Sequence, residues 1–320
     1  MRNFLFVSDD GSAFRNLATD EWFLDHVSPE DLILYFYQND NAVIVGKNQN
    51  PWIECDLSAM KEDGVQLARR VSGGGAVYHD GGNLNFSFIA GRDRYDKDKF
   101  LSLVLRAVQS LGIPCEYSGR NDMLVNGKKF SGHAVCDRRG NKIYHGTLLL
   151  SSDLERLTRY LTVDPAKIRS KGIDSVRSRV CNLTEFREDL TAKDVKYALC
   201  RAFEEEYGYF ADFQLSPAER SELETYVARF ESDEWNLGKT PVFDFSFRHR
   251  FSFGGVELCL TLRGAAVERA QVFTDAMDPS LACRLEGLLV GLPFREEAIR
   301  AALAEAPFEE AHLIGEEFRI

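Results

Sequence analysis

The chain has 320 residues, of which 44% are apolar, 12% aromatic and 28% charged, as in an ordinary globular protein. Its net charge of −11 argues against nucleic-acid binding, which depends on cationic neutralisation of phosphates. No run approaches the roughly 18 uncharged apolar residues of a membrane span, and Asp9 and Asp10 interrupt the apolar N-terminal stretch. We therefore expect a cytoplasmic protein that binds neither nucleic acid nor a membrane.

The first part of the chain alternates between helical and strand patterns. Apolar residues at helical spacing predict a helix around Phe14 to Trp22, and the runs DLILYFY and NAVIVG predict two strands. The segments GGAVYHD and NLNFSFIA indicate a hairpin with one buried face. A further helix is predicted around Phe100 to Leu111.

A second group of strands is predicted in DMLVN, KKFSGHAVC and KIYHGTLLL, with tight turns at 126–127 and 140–141. Helices follow at about 152–161, 191–207 and 217–230, and the last begins with a capping box at Ser216 and Glu219. Near residues 240–250 the pattern changes to strands in FDFSFRHRF, GGVELCLTL and AAVERAQVF, followed by helices at about 279–290 and 294–305.

These patterns predict an α+β fold with two domains. Residues 1–243 would form a large domain with a mixed β-sheet flanked by helices, and residues 244–320 a small α+β domain. We expect the small domain to cap the active site and to move during the reaction.

The segment RRVSGGGAVYHDGGNLNFSF, from Arg69 to Phe88, contains the strongest functional signal. Three adjacent glycines cost backbone entropy, but they can approach a ligand closely and direct N–H groups at an anion. Arg69 and Arg70 add guanidinium groups whose planar fork suits phosphate or carboxylate. The alternative is a tight turn with both arginines in solvent.

A second constellation consists of Asp122, the run KKFSGHA and His145. Strand periodicity places Lys128 and Lys129 on opposite faces, so only one of them can face the glycine loop. A lysine beside an anion stabilises the charge that develops in acyl or phosphoryl transfer, although a lysine pair is more often a solvated strand edge. Asp122 fits a role at magnesium, at a ribose hydroxyl or as a turn cap, and His79 and His145 fit nucleotide contacts or structural roles.

Other common sites are excluded by inspection. The chain contains no GxxxxGK[ST] loop, no GxGxxG at a helix start and no HExxH pair. Its seven cysteines are scattered without a CxxC pair, which indicates reduced thiols. Cys136 has no histidine or aspartate at a spacing that would activate it, so we expect a buried or partly exposed thiol and not a nucleophile.

Together, RRVSGGGAVYHDGGN, GRNDMLVNGKKFSGHA and YHGTLLL resemble the lipoate-protein ligase family, in its two-domain bacterial form. The segments NPWIEC, KGIDSVRSRVCNLTE, EWNLG and RAQVFTD are also similar, so the resemblance spans essentially the whole chain. It implies a core like that of biotin and lipoate ligases and of class II synthetases.

The resemblance implies a two-step reaction with ATP, Mg²⁺ and lipoate. Lipoate would attack the α-phosphorus of ATP, forming lipoyl-AMP and pyrophosphate. The lipoyl group would then pass to a lysine of apo lipoyl domains of 2-oxo acid dehydrogenase complexes or of the glycine cleavage H protein. The enzyme would need no nucleophile of its own and would act as a monomer.

The resemblance also implies the site residues. Lys129 would be catalytic, and Lys129 and Arg70 would bind lipoate. The residues expected to bind ATP or lipoyl-AMP are Arg70, Ser72, Gly73, Gly74, Gly75, Ala76, Val77, Tyr78, Asn83, Asp122, Lys129 and His145. The segment 171–179 would close over the adenylate, and Phe86, Val77 and Leu124 would form either an acyl tunnel or plain core.

The chain departs from the family pattern at three positions. His133 stands where serine is usual, Tyr144 replaces the first histidine of HHG, and Phe130 replaces a β-branched residue. These changes affect the expected pocket volume but leave Lys129 and Arg70 in place.

Three alternative hypotheses about the function remain open. An octanoyltransferase of the same fold would carry a catalytic cysteine where this chain has Lys142. A biotin-protein ligase would share the glycine loop but not the SGHA and YHGTLLL segments. A non-catalytic binder of lipoate or its adenylate would be favoured by loss of Lys129 or Arg70, and both are present.

Overall fold

A mixed sheet of eight strands forms the centre of the fold. The computed structural model describes residues 1–118, 122–162, 180–237 and 243–320. The strands of this sheet are β1 (Arg2–Val7), β2 (Asp31–Tyr37), β6 (Asn83–Ala90), β7 (Cys115–Ser118), β8 (Asp122–Val125), β9 (Lys128–Arg138), β10 (Asn141–Leu149) and β11 (Ala211–Asp212). They run in the order β11-β1-β2-β6-β10-β9-β8-β7, with β11, β1 and β2 parallel and the other neighbours antiparallel.

Helices cover both faces of this sheet. The helices before residue 238 are α1 (Ala13–His26), α2 (Pro51–Glu54), α3 (Leu57–Glu62), α4 (Lys97–Ser110), α5 (Leu154–Tyr160), α6 (Ala192–Tyr207), α7 (Pro217–Glu231) and α8 (Asp233–Leu237). Helices α1 and α7 pack on one face, and α4 and α6 pack on the other.

The helix positions follow from spacing and capping. On α4, Phe100, Val104 and Val108 recur every four residues and are buried in the core. At the start of α7, Ser216 and Glu219 form the predicted reciprocal capping box. The helices predicted before residue 238 are confirmed, with shifts of a few residues at their ends.

A second, three-stranded sheet lies beside α1. It consists of β3 (Asn41–Val45), β4 (Gln66–Arg69) and β5 (Val77–Asp80), in the order β4-β3-β5. Ile44 packs in the same core as α1, whereas Val43 and Val45 face a separate cluster with Tyr78 and Tyr160. The glycine loop therefore leaves one edge strand of this sheet, β4, at Arg69 and enters the opposite edge strand, β5, at Val77.

The predicted hairpin between GGAVYHD and NLNFSFIA is wrong. Strand β5 pairs with β3, whereas β6 lies between β2 and β10 in the large sheet. The turn at Gly81 and Gly82 allows the chain to cross between the sheets, because a Cβ on Gly82 would lie 2.3 Å from the Ser151 backbone. All residues of β6 are buried, so Asn83, Asn85 and Ser87 face protein interior instead of solvent.

The C-terminal region contains its own sheet and core. Strands β12 (Phe245–Phe251), β13 (Gly254–Arg263) and β14 (Ala266–Thr274) form an antiparallel sheet. Val256, Leu258 and Leu260 of β13 are buried at alternate positions in a cluster that includes residues of the three helices. Those helices are α9 (Leu281–Leu289), α10 (Glu296–Ala304) and α11 (Glu309–Glu317), of which α11 was not predicted.

The predicted α+β class, with a large mixed sheet flanked by helices and a further C-terminal sheet, is confirmed. Within the described ranges, no helix is both long and apolar enough to cross a membrane. The seven cysteines are present as free thiols. Cys136 is buried, as predicted, and burial raises its pKa above the ordinary value.

Candidate active site

A cavity of about 190 Å³ lies between α1, the glycine loop, strands β2, β6, β9 and β10 of the large sheet, and strands β3 and β5 of the small sheet. Strand register explains part of its wall, because His145 lies opposite Ala134 and Thr147 lies opposite Asn85 on one face of the large sheet. The lining residues are Leu17, Tyr37, Ile44, Arg70, Gly74, Gly75, Ala76, Val77, His79, Asn85, Lys129, Gly132, His133, Ala134, His145, Gly146, Thr147 and Met277.

Arg70 shapes the glycine loop from inside. Its guanidinium donates to the backbone carbonyls of Ile44, Gly73 and Gly75 at 2.7–3.2 Å and to Ser72 Oγ at 3.1 Å. Burial lowers the pKa of Arg70 to about 10, which leaves the side chain charged at neutral pH. The loop thus wraps around a buried cation that also lines the cavity.

Arg69 contacts backbone carbonyls outside the glycine loop. Its guanidinium donates to the carbonyls of Gly46, Lys47 and Gln49 and to those of Trp235 and Asn236. It does not line the cavity. Of the two arginines in the predicted anion site, one therefore joins α8 to the loop after β3, and only Arg70 reaches the cavity.

His145 links the glycine loop to α1. Its Nε2 lies 2.7 Å from Ser72 Oγ, and its Nδ1 lies 3.1 Å from Asp20 Oδ2. The carboxylate can only accept, so in the neutral ring Nδ1 carries the proton and Nε2 accepts from the Ser72 hydroxyl. Because Ser72 Oγ in turn accepts from Arg70 Nε, the hydrogen-bonded chain runs from Asp20 on α1 to Arg70 without interruption. Asp20 Oδ2 also accepts from Tyr37 Oη at 3.3 Å.

Serine, histidine and aspartate in this order resemble a catalytic triad. Ser72, however, is fully buried, does not line the cavity and accepts a hydrogen bond from Arg70 Nε. The arrangement therefore holds the loop in place and does not present a nucleophile. Sequence reasoning missed Asp20, whose only signal was a carboxylate within a buried stretch of α1.

Lys129 extends along the wall formed by β9. Its Nζ lies 2.7 Å from Asp122 Oδ1 on the neighbouring strand, and both side chains are about one-third exposed, at 37%. A Cβ on Gly132 would lie 2.9 Å from Lys129 Nζ, so glycine makes room for the ammonium group. Lys128 instead lies 3.9 Å from Glu185 and does not line the cavity, as strand alternation predicted.

The structure brings seven of the predicted site residues together around the cavity: Arg70, Gly74, Gly75, Ala76, Val77, Lys129 and His145. Five others do not line it: Ser72, Gly73, Tyr78, Asn83 and Asp122. Ser72 contacts the lining residue Arg70, and Asp122 contacts the lining residue Lys129. Tyr78 turns away and donates to Asn41 Oδ1 at 3.1 Å, and Asn83 donates to Asn85 Oδ1 at 3.0 Å.

Sequence reasoning missed several lining residues, including Tyr37, Asn85 and Thr147. Asn85 and Thr147 are polar residues at alternating strand positions, which is a weak sequence signal that they share one face of the sheet. No sequence signal pointed to Met277, because it reaches the cavity from the distant C-terminal region. Of the expected tunnel residues, Val77 lines the cavity, but Phe86 and Leu124 do not. The predicted segment 171–179 lies outside the described residues.

His133, the departure from the family's serine, is 5% exposed and packs against Tyr144 and Tyr117 with ring centroids 4.8 and 6.0 Å apart. Neither ring nitrogen has a hydrogen-bond partner among the described residues. Burial, with smaller effects of Lys97 and Lys129, lowers the pKa of His133 to about 4. The native protein therefore holds this ring neutral.

The neutral state of His133 predicts acid sensitivity. An ordinary histidine titrates near 6.5, so below that pH the unfolded chain binds a proton that the native protein does not. The difference in proton binding therefore leaves the free energy of unfolding unchanged above about pH 6.5 and lowers it progressively as the pH falls towards about 4. We expect His133→Ser to reduce the loss of unfolding free energy between pH 7 and pH 5 by about 1–2 kcal/mol, measured in urea. An unchanged pH dependence would contradict this assignment.

The C-terminal region contacts the glycine loop directly. Gly74 N donates to Ala276 O at 3.1 Å, and Thr274 N donates to Asn48 O at 2.8 Å. Met277 lines the cavity. The N–H group of Gly74, expected to face an anion, is thus paired with the C-terminal region in this structure.

Because of this contact, alanine substitutions at Gly73 and Gly75 are expected to change the free energy of unfolding by different amounts. A Cβ on Gly73 would lie 2.5 Å from Ala276 O and 2.7 Å from Met277 O, whereas a Cβ on Gly75 would meet nothing within 4 Å. We expect Gly73→Ala to lower the free energy of unfolding by about 1–3 kcal/mol and Gly75→Ala to change it by less than about 0.5 kcal/mol. Urea unfolding measures both, and equal effects would mean that the C-terminal region does not rest on Gly73.

Two family comparisons cover most of the chain. Residues 12–204 match the family described as the lipoyl protein ligase A/B catalytic domain, and residues 240–318 match the bacterial lipoate protein ligase C-terminus. The chain therefore belongs to the lipoate-protein ligase family, whose members are enzymes of the ligase class.

Solved structures agree. The P. falciparum protein LipL1, in complex with lipoate, is 27% identical, with a TM-score of 0.85 and coverage of 98% of each chain. The Thermoplasma acidophilum bi-partite lipoate protein ligase, studied with its E2 lipoyl domain, is 32% identical over 77% of this chain and 100% of its own, with a TM-score of 0.69. A lipoate-protein ligase A bound with ATP is 32% identical over 74% of this chain and 99% of its own, with a TM-score of 0.65.

Proposed function

We propose that the protein activates lipoate with ATP to form lipoyl-AMP and pyrophosphate, and then transfers the lipoyl group to a lysine of an acceptor protein. The observation that carries this proposal is the position of Lys129, whose ammonium lies on the wall of a mainly apolar cavity close to the Arg70-centred glycine loop. The relatives bound with lipoate and with ATP support the choice of both substrates.

In the first step, a lipoate carboxylate oxygen attacks the α-phosphorus and pyrophosphate leaves. Negative charge builds up on the phosphate oxygens in the transition state, and a fixed cation nearby lowers its energy. Lys129 is suited to this role because its only charged partner in the described structure is Asp122, which the α-phosphate would replace. Arg70 would contribute charge through the cavity wall and keep the loop in shape.

The other loop residues would bind the nucleotide through their backbone. Ser72, Gly73, Gly74, Gly75, Ala76, Val77 and Tyr78 form the continuous segment that carries these groups. Binding of phosphate at Gly74 N would require its hydrogen bond to Ala276 O to break. We therefore propose that residues 244–320 form a separate small domain and that this domain shifts during the reaction.

In the second step, the neutral ε-amine of the acceptor lysine attacks the acyl carbonyl and AMP leaves. The amine loses a proton as the amide forms, and the enzyme contributes no covalent intermediate. By analogy with the T. acidophilum protein, studied with its E2 lipoyl domain, we propose apo lipoyl domains as acceptors, together with the glycine cleavage H protein. We further propose that the protein acts as a monomer in the cytoplasm.

Magnesium would enter with the nucleotide. Mg²⁺ commonly uses one or two protein carboxylates and takes its remaining ligands from phosphates and water. Asp122 fits this pattern as a single carboxylate beside Lys129, and the described residues contain no cluster of three acidic, histidine or cysteine side chains. When bound, the ion would offset the charge of the phosphates.

One assay tests the proposal. The protein is incubated with ATP labelled at the α-phosphate, lipoate and an apo lipoyl domain, and lipoyl-AMP and the modified domain are measured. We expect label in lipoyl-AMP when the acceptor is omitted, and in AMP when it is present. Absence of both products would reject the ligase function.

Changing the substrates of this assay separates the alternatives. An octanoyltransferase would transfer the octanoyl group from an acyl carrier protein to the acceptor without ATP. The position expected for its catalytic cysteine holds Lys142 in this chain. A biotin ligase would consume biotin and leave lipoate unused. A non-catalytic binder would bind lipoate without releasing pyrophosphate.

A further inference from the structure

Helix α1 carries two adjacent carboxylates, Asp20 and Glu21, that are both enclosed in the protein, with 1% and 0% of their surfaces exposed. Glu21 pairs with Arg138 and Arg229, and none of these three residues lines the cavity. Asp20 has no lysine or arginine partner among the described residues and contacts His145 instead. A buried carboxylate is costly without a cation beside it, which points to a role other than stability.

Asp20 fixes the direction of the hydrogen bonds that lead to Arg70. A carboxylate can only accept, so the neutral ring of His145 donates to it through Nδ1 and accepts through Nε2. The Ser72 hydroxyl then donates to Nε2, and a lone pair of Ser72 Oγ accepts from Arg70 Nε. With Nε held in this way, Arg70 directs Nη2 to two carbonyls of the glycine loop, at 2.7 and 2.8 Å.

The opposite tautomer of His145 would disturb this arrangement. Its Nε2–H group and the Nε–H group of Arg70 would both point at Ser72 Oγ, and the hydroxyl proton of Ser72 would lose its acceptor. Ser72 is fully buried, and in the described part of the chain its hydroxyl has no third partner. Because a buried donor without an acceptor is costly, the contact between Ser72 and Arg70 would loosen.

We propose that Asp20 is a positioning residue for the nucleotide step, which acts through the hydrogen-bonded chain on Arg70 and holds the glycine loop in the conformation that binds ATP. This role rests on the proposed function, in which the loop binds the nucleotide. Asp20 does not line the cavity, so it would affect the substrate only through the chain.

Asp20→Asn should reverse the direction of the chain. Asp20 Oδ1 is buried without a hydrogen-bond partner among the described residues, whereas Oδ2 accepts from His145 and Tyr37. An asparagine amide nitrogen at the Oδ1 position would be buried without an acceptor. At the Oδ2 position it can donate to His145 Nδ1 and to Tyr37 Oη. We therefore expect the amide nitrogen to face His145 and to move the ring proton from Nδ1 to Nε2.

Two measurements without lipoate test this role. Nitrogen NMR with isotope-labelled histidine, at a pH where histidine is neutral, shows which nitrogen of His145 carries the proton, and the signals are identified by their loss in His145→Gln. Calorimetry measures the affinity for ATP. We expect the proton on Nδ1 in the wild type and on Nε2 in Asp20→Asn, and about three- to tenfold weaker ATP binding in the variant, as for loss of one hydrogen bond.

Two results would overturn the proposal: a proton on Nε2 of His145 in the wild type, or equal ATP affinity of the wild type and Asp20→Asn. A wild type that does not bind ATP would reject the proposed function and this role together, whereas equal affinities would reject only the role.

A double-mutant cycle with Ser72→Ala tests whether the effect passes through Ser72. This substitution interrupts the chain beside Arg70 and should itself weaken ATP binding by a similar factor. In the Ser72→Ala background, Asp20→Asn should have no further effect on ATP affinity. Independent losses from the two substitutions would contradict the proposal. Unchanged affinity in Ser72→Ala would also contradict it, and this result decides even if Asp20→Asn does not fold.

Glu21→Gln is the matched control. Glu21 is the adjacent buried carboxylate of α1, but its partners are Arg138 and Arg229 and it does not belong to the chain. We expect a lower thermal midpoint, an unchanged tautomer of His145, and ATP affinity within about twofold of the wild type at temperatures where the protein is folded. Equal losses of ATP affinity in Glu21→Gln and Asp20→Asn would refute the proposal, because Asp20 would then act only through the stability of α1.

Discussion

Replacing Lys129 with alanine is expected to lower the rate of lipoyl-AMP formation by at least about 10²- to 10³-fold, the usual effect of removing one group that stabilises transition-state charge. The fold should persist, because Lys129 and its partner Asp122 are both about one-third exposed, at 37%, and such pairs contribute little to stability. The rate is measured as lipoate-dependent release of pyrophosphate, and folding as the thermal midpoint.

Lys128→Ala is the matched control. Lys128 is the adjacent residue and also faces a carboxylate, that of Glu185 at 3.9 Å, but it does not line the cavity. Its rate should stay within about twofold of the wild type, as expected for a change away from the reacting atoms. Near-normal turnover in Lys129→Ala, or equal losses in the two variants, would show that Lys129 is not the catalytic lysine.

Substitution of Arg70 by lysine should affect both stability and substrate binding. The guanidinium satisfies four acceptors at once, those of Ile44, Ser72, Gly73 and Gly75, and an ammonium group cannot reach them all. Leaving one or two buried acceptors unpaired should lower the free energy of unfolding by about 2–4 kcal/mol. Urea unfolding and lipoate calorimetry measure the two effects.

Arg69→Lys separates stability from binding. Arg69 is equally buried in carbonyl contacts but does not line the cavity. We expect a similar loss of stability, and lipoate affinity close to that of the wild type at temperatures where the protein remains folded. If Arg69→Lys weakens lipoate binding as much as Arg70→Lys does, the distinction between the two arginines is wrong.

The order of most helices and strands could be predicted from periodicity, capping residues and turns. The capping box at Ser216 and the alternation in β13 are local signals, and both are confirmed. The pairing of β5 could not be predicted, because strand partners depend on contacts between distant segments. Its sequence and that of β6 are separated by two glycines, as in a hairpin, yet the two strands enter different sheets.

Some residues of the candidate site could also be predicted from the sequence, whereas their hydrogen-bond partners could not. Lys129, Arg70 and the glycine loop are visible in the chain because their residue types and order are characteristic of the family. The support behind them is not visible: Asp20 meets His145 across 125 positions, and Asn39 meets His79 across 40. Each of these partners is an ordinary polar residue in its local context.

By itself, the sequence determined the class of fold, the family and the residues that carry charge to the cavity. The tertiary structure decided which arginine reaches that cavity, how the serine, histidine and aspartate are joined, and which nitrogen of His145 faces the aspartate. The physical reason is that charge and periodicity belong to residues and short segments. Burial, hydrogen-bond partners and tautomers arise only when segments far apart in the chain exclude water from a common site.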